Sequence, residues 1–390
     1  IFSIFRRNGE YTVMKVLSLF ANIGVAEAYL RGLGIEVSVA NELLERRAKL
    51  YSEIYPETEM ISGDITNAKI FNHVIEAAKN RKVDCIMATP PCQGMSTAGQ
   101  QDEEDERNKL IMPVMDAVHI LKPNYVFIEN VPNFLNTAIE VKGNNILIPK
   151  YIENELGNEY EIHSYTINTK NYSVPQVRER AIFLITKKGL SHIWLLPKPD
   201  EKIITMRDAI GNIPSIDPYI KDISKKEMKE MFPEYEEKKE RALEISRWNI
   251  PPHHIKRQVV SMMHTPTGKT AFDNEKYFPV KENGTPVKGY RNTYKRQNWD
   301  TPAYTVTMDN RKISSQNNVH PGRYLGKDKN GDDVYSDART LTLYELMLVM
   351  SLPSDWPVPE KTSEAFLRRI IGEGIPPLFV KKVFEKLIER

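Results

Sequence analysis

The sequence predicts an α/β protein with a doubly wound, mostly parallel sheet and a smaller second domain. Two observations predict this fold: short apolar runs alternate with helical segments from Lys15 onward, and this alternation disappears after about Lys188. Strand–helix repeats of this length imply right-handed crossovers and a parallel sheet covered on both faces. Ligands bind such sheets outside the carboxyl ends of the strands. Residues that directly follow a strand are therefore the first candidates for a functional site.

The individual elements follow from the period of the apolar residues. Short unbroken apolar runs indicate buried strands, and apolar residues at intervals of three and four indicate helices. Gly24 permits the turn from the first strand into the first helix. The predicted strands are 16–20, 37–40, 60–61, 85–88, 125–128 and 181–185, and the predicted helices are 25–33, 43–51, 110–121, 225–247 and 378–388.

Composition narrows the class of protein. With 390 residues, 41% hydrophobic and 27% charged, the chain can bury the core of one large and one smaller domain. The two cysteines are too few for a disulfide framework, and no apolar run reaches membrane-spanning length. We therefore expect a cytoplasmic protein with no membrane partner and no metal site. Residues 1–13, ahead of Met14, are interpreted as either a cloning remnant or an upstream extension.

The region after residue 188 carries a basic segment. Residues 256–296 contain nine Lys and Arg against three Asp and Glu, interleaved with aromatic residues such as Tyr277 and Tyr290. Basic residues with interleaved aromatics suit contact with phosphates and insertion into a groove. A solvated irregular surface has a similar composition, so both interpretations stay open on composition alone.

The most informative motif is Pro90-Pro91-Cys92-Gln93, which follows the predicted strand at 85–88. The two prolines fix the backbone before Cys92, and Gly94 permits a tight turn after it. A thiolate at the rim of a ligand crevice is a strong nucleophile for covalent catalysis. Cys85 lies inside the strand, where a buried and inert thiol is expected. Cys92 is therefore the candidate nucleophile.

A second motif places a carboxyl group at the same edge of the sheet. Glu129 follows the predicted strand at 125–128. A carboxylic acid there can donate a proton if its surroundings favour the neutral form. Taken alone, a glutamate at a strand end is more often a surface or capping residue. Its pairing with the cysteine loop one unit earlier favours the catalytic interpretation.

A third motif contains two arginines that precede the predicted strand at 181–185. Arg178 and Arg180 are separated by one residue, and alternate residues of an extended chain point the same way. This spacing predicts a paired donor array toward one ligand. The alternative is an ordinary salt-bridged edge strand.

Together, these motifs resemble the cytosine-5 DNA methyltransferase family of the bacterial restriction–modification type. The blocks occur in the family's order over nearly the whole chain from Met14, and their combination is specific. They are Phe20 with Gly24, Pro90-Pro91-Cys92-Gln93, Glu129-Asn130-Val131, Gln176-Val177-Arg178-Glu179-Arg180, Arg296-Gln297-Asn298-Trp299-Asp300-Thr301-Pro302, Thr305-Val306-Thr307, Ala338-Arg339-Thr340-Leu341-Thr342 with Glu345, and Ile371-Gly372 with Ile375-Pro376-Pro377. The resemblance implies a class I S-adenosylmethionine-dependent methyltransferase fold with a smaller target-recognition domain.

The resemblance also implies a role for each catalytic candidate. Cys92 would attack C6 of a cytosine, which makes C5 nucleophilic toward the methyl group of S-adenosylmethionine and leaves S-adenosylhomocysteine as product. Glu129 would protonate or hydrogen-bond ring N3. Arg180 would contact the O2 edge of the ring, with Arg178 as its support. The target atom is inaccessible inside a duplex, so the base must be flipped into the pocket.

A cofactor site on the first half of the sheet is implied as well. Glu42 is placed to accept from the ribose hydroxyls, and Asp64 matches the residue that accepts from the adenine amino group. The sequence departs from the family at Ser18, Asn22, Val25 and Glu373, where aspartate, glycine, glycine and asparagine are usual. The expected cofactor-binding residues are Phe20, Ala21, Gly24, Glu42, Asp64, Ile65, Pro91 and Leu110.

The implied partner is double-stranded DNA. A catalytic domain would comprise 14–190 and 335–390, and a target-recognition domain would comprise 191–334. A cognate restriction endonuclease acting separately suits this setting, and the chain is expected to be a monomer. The expected DNA-binding residues are Gln93, Ser96, Lys288, Tyr290, Arg291, Lys295 and Arg296.

Two other functions stay open on the sequence. One branch of the family modifies RNA, so a transfer-RNA cytosine-5 methyltransferase is the alternative enzyme; the long basic region argues against it. A catalytically inactive DNA-binding relative is the alternative from another class. Retention of Cys92, Glu129 and Arg180 together argues against such decay.

Overall fold

A computed structural model of the protein describes residues 14–91 and 105–388, together with two short strands ahead of residue 13. Those strands, β1 (Phe5–Arg7) and β2 (Glu10–Thr12), pair with each other in antiparallel fashion. Three predicted site residues, Cys92, Gln93 and Ser96, lie outside the described residues.

Further strands follow along the described chain. They are β3 (Met14–Leu19), β4 (Ile35–Glu42), β5 (Glu59–Ser62), β6 (Cys85–Ala88), β7 (Tyr125–Asn130), β8 (Ala138–Val141), β9 (Asn144–Leu147), β10 (Tyr160–Asn168), β11 (Glu179–Lys187), β12 (Tyr324–Lys327) and β13 (Asp333–Tyr335). Within the described ranges, seven of them form a central sheet in the order β10-β11-β7-β6-β3-β4-β5. The pairs β8–β9 and β12–β13 are separate hairpins.

The central sheet is parallel from β5 to β7. Among the described strands of this sheet, β11 alone runs in the opposite direction, and it pairs antiparallel with both β7 and β10. The connection after β3 leads to β4 on one side, and the chain later returns to β6 on the other side. Ligands bind at such a switch in strand order. The prediction of a doubly wound, mostly parallel sheet is confirmed.

The helices of the described chain begin at recognisable caps. Asn67 accepts from the backbone N–H of Lys69 at the start of one helix, and Thr342 and Glu345 form a capping box at another. The α-helices are α1 (Glu45–Ile54), α2 (Ala68–Arg81), α3 (Ile111–Leu121), α4 (Ile148–Leu156), α5 (Met206–Ile210), α6 (Lys225–Met231), α7 (Tyr235–Ile245), α8 (Lys256–Met263), α9 (Leu343–Val349), α10 (Glu364–Glu373) and α11 (Pro377–Ile388). Short 3-10 helices span Arg31–Leu33, Glu106–Leu110, Pro132–Asn136, Thr169–Tyr172 and Ala271–Asp273.

Alternate residues of the sheet strands reach opposite apolar layers. Ile86 and Ala88 pack in the layer formed by α2, α3 and α4, whereas Cys85 and Met87 pack in the layer that contains α11. Cys85 is fully buried there, and burial raises the pKa of its thiol well above the usual value. These surroundings agree with the prediction that Cys85 is a buried and inert thiol.

Two predicted helices differ in the structure. Residues 25–33 form successive i to i+3 turns that end in a 3-10 helix, and Glu27 within them is buried and accepts hydrogen bonds from Ser18 and Tyr51. The predicted helix at 225–247 is divided into α6 and α7. Pro233 lies between them, and a residue without an amide hydrogen and with a fixed φ interrupts a helix.

The region after residue 200 has an apolar core of its own. Ile220, Val259 and Ile313 belong to this cluster, which is separate from the two layers of the sheet. Trp194 is fully buried against α11, and Trp299 packs with α9 and α10. The division into a catalytic domain and a target-recognition domain at residues 191 and 334 stays a proposal. The two tryptophans lie in the proposed smaller domain and pack on helices of the larger one. Across the residues that the structure describes, no helix is long and apolar enough to cross a membrane.

Candidate active site

The carboxyl ends of β3 and β6 meet at the switch in strand order. The backbone N–H of Thr89, just after β6, donates to the carbonyl oxygen of Leu19 over 3.3 Å. Its hydroxyl donates to the carbonyl oxygen of Phe20 over 3.2 Å. The predicted cofactor loop after β3 is thus tied to the chain that leads into the predicted nucleophile motif.

Asn130, at the end of β7, holds the same motif from the other side. Its side-chain Nδ2 donates to the carbonyl oxygen of Pro90 over 3.0 Å, and its Oδ1 accepts from the backbone N–H of Val131 over 2.9 Å. Asn130 is 3% exposed, so these bonds satisfy a buried amide. Sequence reasoning did not single out this residue, although a buried amide next to a candidate acid must find partners.

Glu129 and Arg180 form a nearly buried ion pair. Glu129 lies opposite Ile182 in the antiparallel pairing of β7 with β11, so the two charged side chains come from neighbouring strands. Arg180 Nε lies 2.6 Å from Glu129 Oε1, and each residue is 8% exposed. A charge in such a place is tolerated when its partner compensates it. The structure therefore brings together the predicted acid and the predicted arginine.

Arg178 does not point to the same place, and the prediction of a paired donor array is wrong. Its guanidinium donates to the carbonyl oxygens of Val306 and Gly372, each over 2.9 Å, and to that of Glu373 over 3.3 Å. The alternation that suggested a pair applies within a regular strand, and β11 begins only at Glu179. Arg178 joins the start of this strand to the C-terminal end of α10, which makes it a support rather than a ligand contact.

Glu42 is held at the end of β4 by two backbone donors. The N–H of Asn22 donates to its Oε2 and the N–H of Leu44 donates to its Oε1, each over 3.0 Å. Each carboxylate oxygen has a further lone pair and can accept another hydrogen bond. Asn22 has a φ of 54°, in the left-handed region that asparagine tolerates better than most residues. The departure from glycine at this position is therefore compatible with the loop.

The loop after β3 is packed closely. A Cβ on Gly24, whose φ is 78°, would lie 2.1 Å from Cε2 of Tyr55, so this position requires glycine. Tyr55 also donates from its hydroxyl to the carbonyl oxygen of Gly24 over 2.7 Å. Ala21 is 8% exposed, and its N–H donates to the carbonyl oxygen of Asn41 over 2.9 Å. These contacts fix the loop relative to α1.

The remaining predicted cofactor residues fall into an apolar group and an acidic one. Phe20, Ile65 and Leu110 belong to the apolar layer on the α2–α4 side, with Ile65 buried and the other two partly exposed. Asp64 is exposed, and its Oδ1 accepts from the N–H and the hydroxyl of Thr66 over 2.9 and 2.8 Å. Pro91 is partly exposed and ends the described segment.

Beneath the loop lies a buried acid that the sequence did not reveal. Ser18 donates from its hydroxyl to Oε1 of Glu27 over 2.5 Å, and Tyr51 donates to Oε2. Burial raises the pKa of Glu27 to about 7, and the two hydrogen bonds oppose this rise. Ser18, which stands where the family usually has aspartate, was the signal in the sequence that could have pointed to Glu27, because a polar residue inside a buried strand needs a polar partner.

Part of the predicted DNA-binding set is available on the surface. Lys288 and Arg291 are exposed on either side of Tyr290, which is 80% exposed. Arg291 forms an ion pair with Asp273, and the ammonium group of Lys295 lies 4.7 Å from the ring centre of Tyr304. Exposed cations beside an exposed aromatic ring suit contact with a polyanion.

The buried position of Arg296 contradicts the prediction that this residue contacts DNA. Its residue is fully buried, and all five of its N–H donors bond to backbone carbonyl oxygens. Those oxygens belong to Met262, Thr265, His320, Ser336 and Asp337, at 2.7 to 3.0 Å. A guanidinium in this position cannot reach a phosphate, so Arg296 is removed from the predicted set. It fixes the interior of the smaller region instead.

Solved structures share this fold. A structure assigned to a prophage-encoded DNA modification methyltransferase of E. coli aligns with 96% of this chain and 98% of its own, with a TM-score of 0.63 and 18% identity. The methyltransferase EhMeth of Entamoeba histolytica aligns over 96% of this chain and 98% of its own, with a TM-score of 0.58 and 15% identity. At these identities the likeness shows the fold, which is that of the class I S-adenosylmethionine-dependent methyltransferases.

Sequence comparison identifies the family. Residues 14–389 match the family model of C-5 cytosine-specific DNA methylases. The chain is 42% identical over 376 residues to the Type II methyltransferase M1.HgaI of Avibacterium volantium, which covers 95% of this chain and 97% of that one. This protein belongs to the C-5 cytosine-specific DNA methylase family, and it is a DNA methyltransferase.

Proposed function

We propose that this enzyme methylates C5 of a cytosine flipped out of a specific duplex DNA site, with Cys92 as covalent nucleophile. The observation that carries the proposal is the ion pair between Glu129 and Arg180, 2.6 Å apart, at the sheet edge where Asn130 holds Pro90. A buried carboxyl and a guanidinium on neighbouring strands suit the polar edge of a pyrimidine. Cys92 follows two residues after Pro90 in the sequence.

The cofactor site is supported by the donor set around the loop after β3. Glu42 presents a carboxylate held by two backbone donors, and Asn22 Oδ1 is buried without a hydrogen-bond partner in the described part of the chain. These groups suit a nucleoside with hydroxyls and a polar tail. When bound, S-adenosylmethionine supplies a methyl group activated on a sulfonium and leaves as S-adenosylhomocysteine. Glu42 would hold the ribose, and Phe20, Ile65 and Leu110 would line the apolar side.

The proposed reaction begins when the thiolate of Cys92 forms a bond to C6 of the cytosine. The electron pair of the C5–C6 double bond then becomes available at C5. Glu129 takes up a proton from solvent when the base enters, donates it to N3 to offset the negative charge, and regains it when the ring is restored. Arg180 positions Glu129 and donates to the O2 edge. After C5 has received the methyl group, its proton is lost to solvent. The bond from C6 to sulfur then breaks, which restores the ring and the thiolate.

The DNA surface is proposed at the exposed segment around Tyr290. Lys288 and Lys295 supply positive charge, and phosphate contacts of this kind make binding dependent on salt. The relative M1.HgaI is a Type II methyltransferase, which supports a restriction–modification setting for this chain too, with a separate cognate nuclease as a proposed partner. Bisulfite sequencing of DNA from a methylation-free host that expresses the enzyme would identify the methylated site.

A covalent trap tests the nucleophile. In the presence of S-adenosylmethionine, duplex DNA with 5-fluorocytosine at the target position receives the methyl group at C5 but has no proton there to lose, so it should hold the enzyme as an adduct that survives denaturing electrophoresis. We expect the adduct with the wild type and with Cys85→Ala, the matched control at a buried cysteine, but not with Cys92→Ser. An adduct formed by Cys92→Ser would refute the assignment of the nucleophile.

A further inference from the structure

The side chain of Glu27 ties together the elements around the loop after β3. Glu27 lies nine residues after Ser18 in the sequence, and a hydrogen bond of 2.5 Å joins the two side chains. The hydroxyl of Tyr51, on α1, bonds to the other oxygen of the carboxyl group. The N–H of Glu27 donates to the carbonyl oxygen of Gly24 over 3.2 Å, so this residue is also part of the turn. One side chain therefore fixes the loop both to β3 and to α1.

Glu27 differs in its partners from the other buried acids of the described chain. Most of these acids form an ion pair with an arginine or a lysine; they are Glu129, Asp217, Asp337 and Glu345. Glu42 accepts from two backbone N–H groups instead. Glu27 is 3% exposed, and within the described residues its carboxyl group has only the hydroxyls of Ser18 and Tyr51 as partners. A buried charge needs a compensating charge, whereas hydroxyls can also accept from a neutral carboxyl group, so these surroundings favour the neutral form.

Glu27 is the group of this cluster that changes its charge near neutral pH. The titratable side chains of the described chain that interact with it are Tyr51 and Tyr55, both on α1. Burial raises the pKa of both phenols well above the usual value, so both stay neutral. Burial also raises the pKa of Glu27 from 4.5 to about 7, and the hydrogen bonds with Ser18 and Tyr51 oppose this rise.

The loop between Ser18 and Glu27 carries a donor of the proposed cofactor site. Asn22 lies within this loop, and its backbone N–H donates to Glu42 over 3.0 Å. The hydrogen bond between the two ends of the loop limits the positions that this N–H can take. The geometry of the proposed ribose-binding carboxylate therefore depends on the state of Glu27.

We infer that Glu27, while its carboxyl group is neutral, positions the loop after β3 for S-adenosylmethionine, and that ionisation of this group weakens cofactor binding. This role rests on the proposed function, because it presupposes that cofactor. An ionised Glu27 has no cation beside it in the described part of the chain, so its charge is stabilised when the turn opens to water. Opening of the turn moves the N–H of Asn22 away from Glu42. Glu27 is thus a positioning residue that acts through these two groups.

The cofactor and a proton on Glu27 favour the same form of the loop. The closed loop holds this proton more tightly than an open one, in which the pKa of Glu27 approaches its usual value of 4.5. Binding of the cofactor to the closed loop therefore takes up protons, and its affinity falls as the pH rises to about 7 and then levels off. The rise in the pKa from 4.5 to about 7 limits the whole fall to about 300-fold.

Calorimetric titration of the whole chain with S-adenosylhomocysteine between pH 5.5 and pH 8 tests this role. Glu27→Gln keeps the size of the side chain and stays neutral, and Ser18→Ala removes one hydrogen bond to it. Glu53→Gln, at an exposed glutamate of α1, is the matched control. Titration at pH 7 in two buffers with different ionisation enthalpies gives the number of protons taken up with the ligand. Comparison of the variants at each pH cancels the titration of the ligand itself.

We expect the wild type and Glu53→Gln to bind about tenfold more weakly at pH 8 than at pH 5.5, and to take up part of a proton per ligand at pH 7. Glu27→Gln should lack both the fall in affinity and the proton uptake. Ser18→Ala should show a larger fall than the wild type, because the hydrogen bond that it removes favours the ionised form. This variant tests the direction of the effect even if Glu27→Gln does not fold.

Two results would overturn the role of Glu27. One is a wild-type affinity that does not change with pH, and the other is an equal fall in affinity for Glu27→Gln and the wild type. In both cases S-adenosylhomocysteine still binds, so the proposed cofactor site is retained. A wild type that binds this ligand at no pH would instead overturn the cofactor site and the role of Glu27 together.

Discussion

Asn130 donates from its side chain to the carbonyl oxygen of Pro90 over 3.0 Å, and this bond joins the ends of two neighbouring parallel strands. The acid and the predicted nucleophile belong to these two strand ends, since Glu129 precedes Asn130 and Cys92 follows Pro91. The hydrogen bond therefore connects the two chain segments from which the proposed chemistry arises.

Asn130→Ala should slow methyl transfer without weakening cofactor binding. Loss of the bond to Pro90 frees the segment before Cys92, and a displacement of about 1 Å at a reacting group can cost about a hundredfold in rate. Single-turnover transfer of a labelled methyl group and titration with S-adenosylhomocysteine measure the two properties. Asn136→Ala, at an exposed position after the same strand, is the matched control. A variant at Asn130 with the wild-type single-turnover rate would contradict this role.

Glu129→Gln should lower the single-turnover rate by about a hundredfold or more, the usual contribution of a positioned acid. The amide cannot donate a proton in the same way, and it leaves Arg180 without its compensating charge at 2.6 Å. Binding of S-adenosylhomocysteine should not change, because Glu42 and its loop are untouched. Glu140→Gln, an exposed glutamate on β8, serves as control. Equal rates for the Glu129 variant and the wild type would remove this residue from the mechanism.

Arg296→Met should destabilise the protein by more than about 3 kcal/mol, because it leaves five buried carbonyl oxygens without their donors. Lys288→Met should leave stability unchanged and weaken DNA binding, with a smaller dependence on salt. Thermal unfolding and DNA titration at several salt concentrations distinguish the two. A stable Arg296 variant with a selective loss of DNA affinity would reinstate the contact that the buried position excludes.

Glu27→Gln should stabilise the protein at neutral and alkaline pH. The folded protein holds the proton of Glu27 more tightly than the unfolded chain, since its pKa is raised from 4.5 to about 7. This contribution to stability is therefore present below about pH 4.5 and is lost as the pH rises to about 7. The full effect corresponds to about 3 kcal/mol.

The difference in melting temperature between Glu27→Gln and the wild type measures this effect. It should increase between about pH 5 and about pH 8. Comparison at each pH removes the effect of other titrating groups, such as His254 and His320, whose pKa values burial lowers to about 3 and about 4. A difference that stays constant with pH would show that Glu27 does not titrate in this range.

The sequence predicted six of the seven described strands of the central sheet, because those six are short apolar runs between clear turns. It did not predict β10, an edge strand in which polar residues interrupt the apolar ones. The strand at 85–88 has the same bounds in the structure, and the one at 125–128 was only extended to Asn130. It also placed Glu129 and Arg180 at one edge, since both motifs adjoin buried strands. The sequence could not predict the roles of side chains whose partners are far away along the chain. Arg178 and Arg296 look like surface cations in the sequence, yet each donates to carbonyl oxygens far away along the chain.

The smaller region was the hardest to predict for a related reason. Its core is held by short helices and irregular chain rather than by periodic segments, so no apolar period marks it. Lys295 and Arg296 are neighbours in the sequence, and one lies over Tyr304 whereas the other is fully buried. Local charge counts cannot separate such residues.

β11 runs against β7, so Arg180 enters the site near the start of its strand, whereas Glu129 enters near the end of its own. Insertion of one residue within β11 would turn every following side chain of that strand to the opposite layer of the sheet, because strand side chains alternate. One codon inserted at the exposed turn of Lys188 and Gly189 would leave the guanidinium facing its carboxylate. We therefore expect relatives of this protein to carry insertions at the turn after β11 but not within β11, although the two places are only a few residues apart.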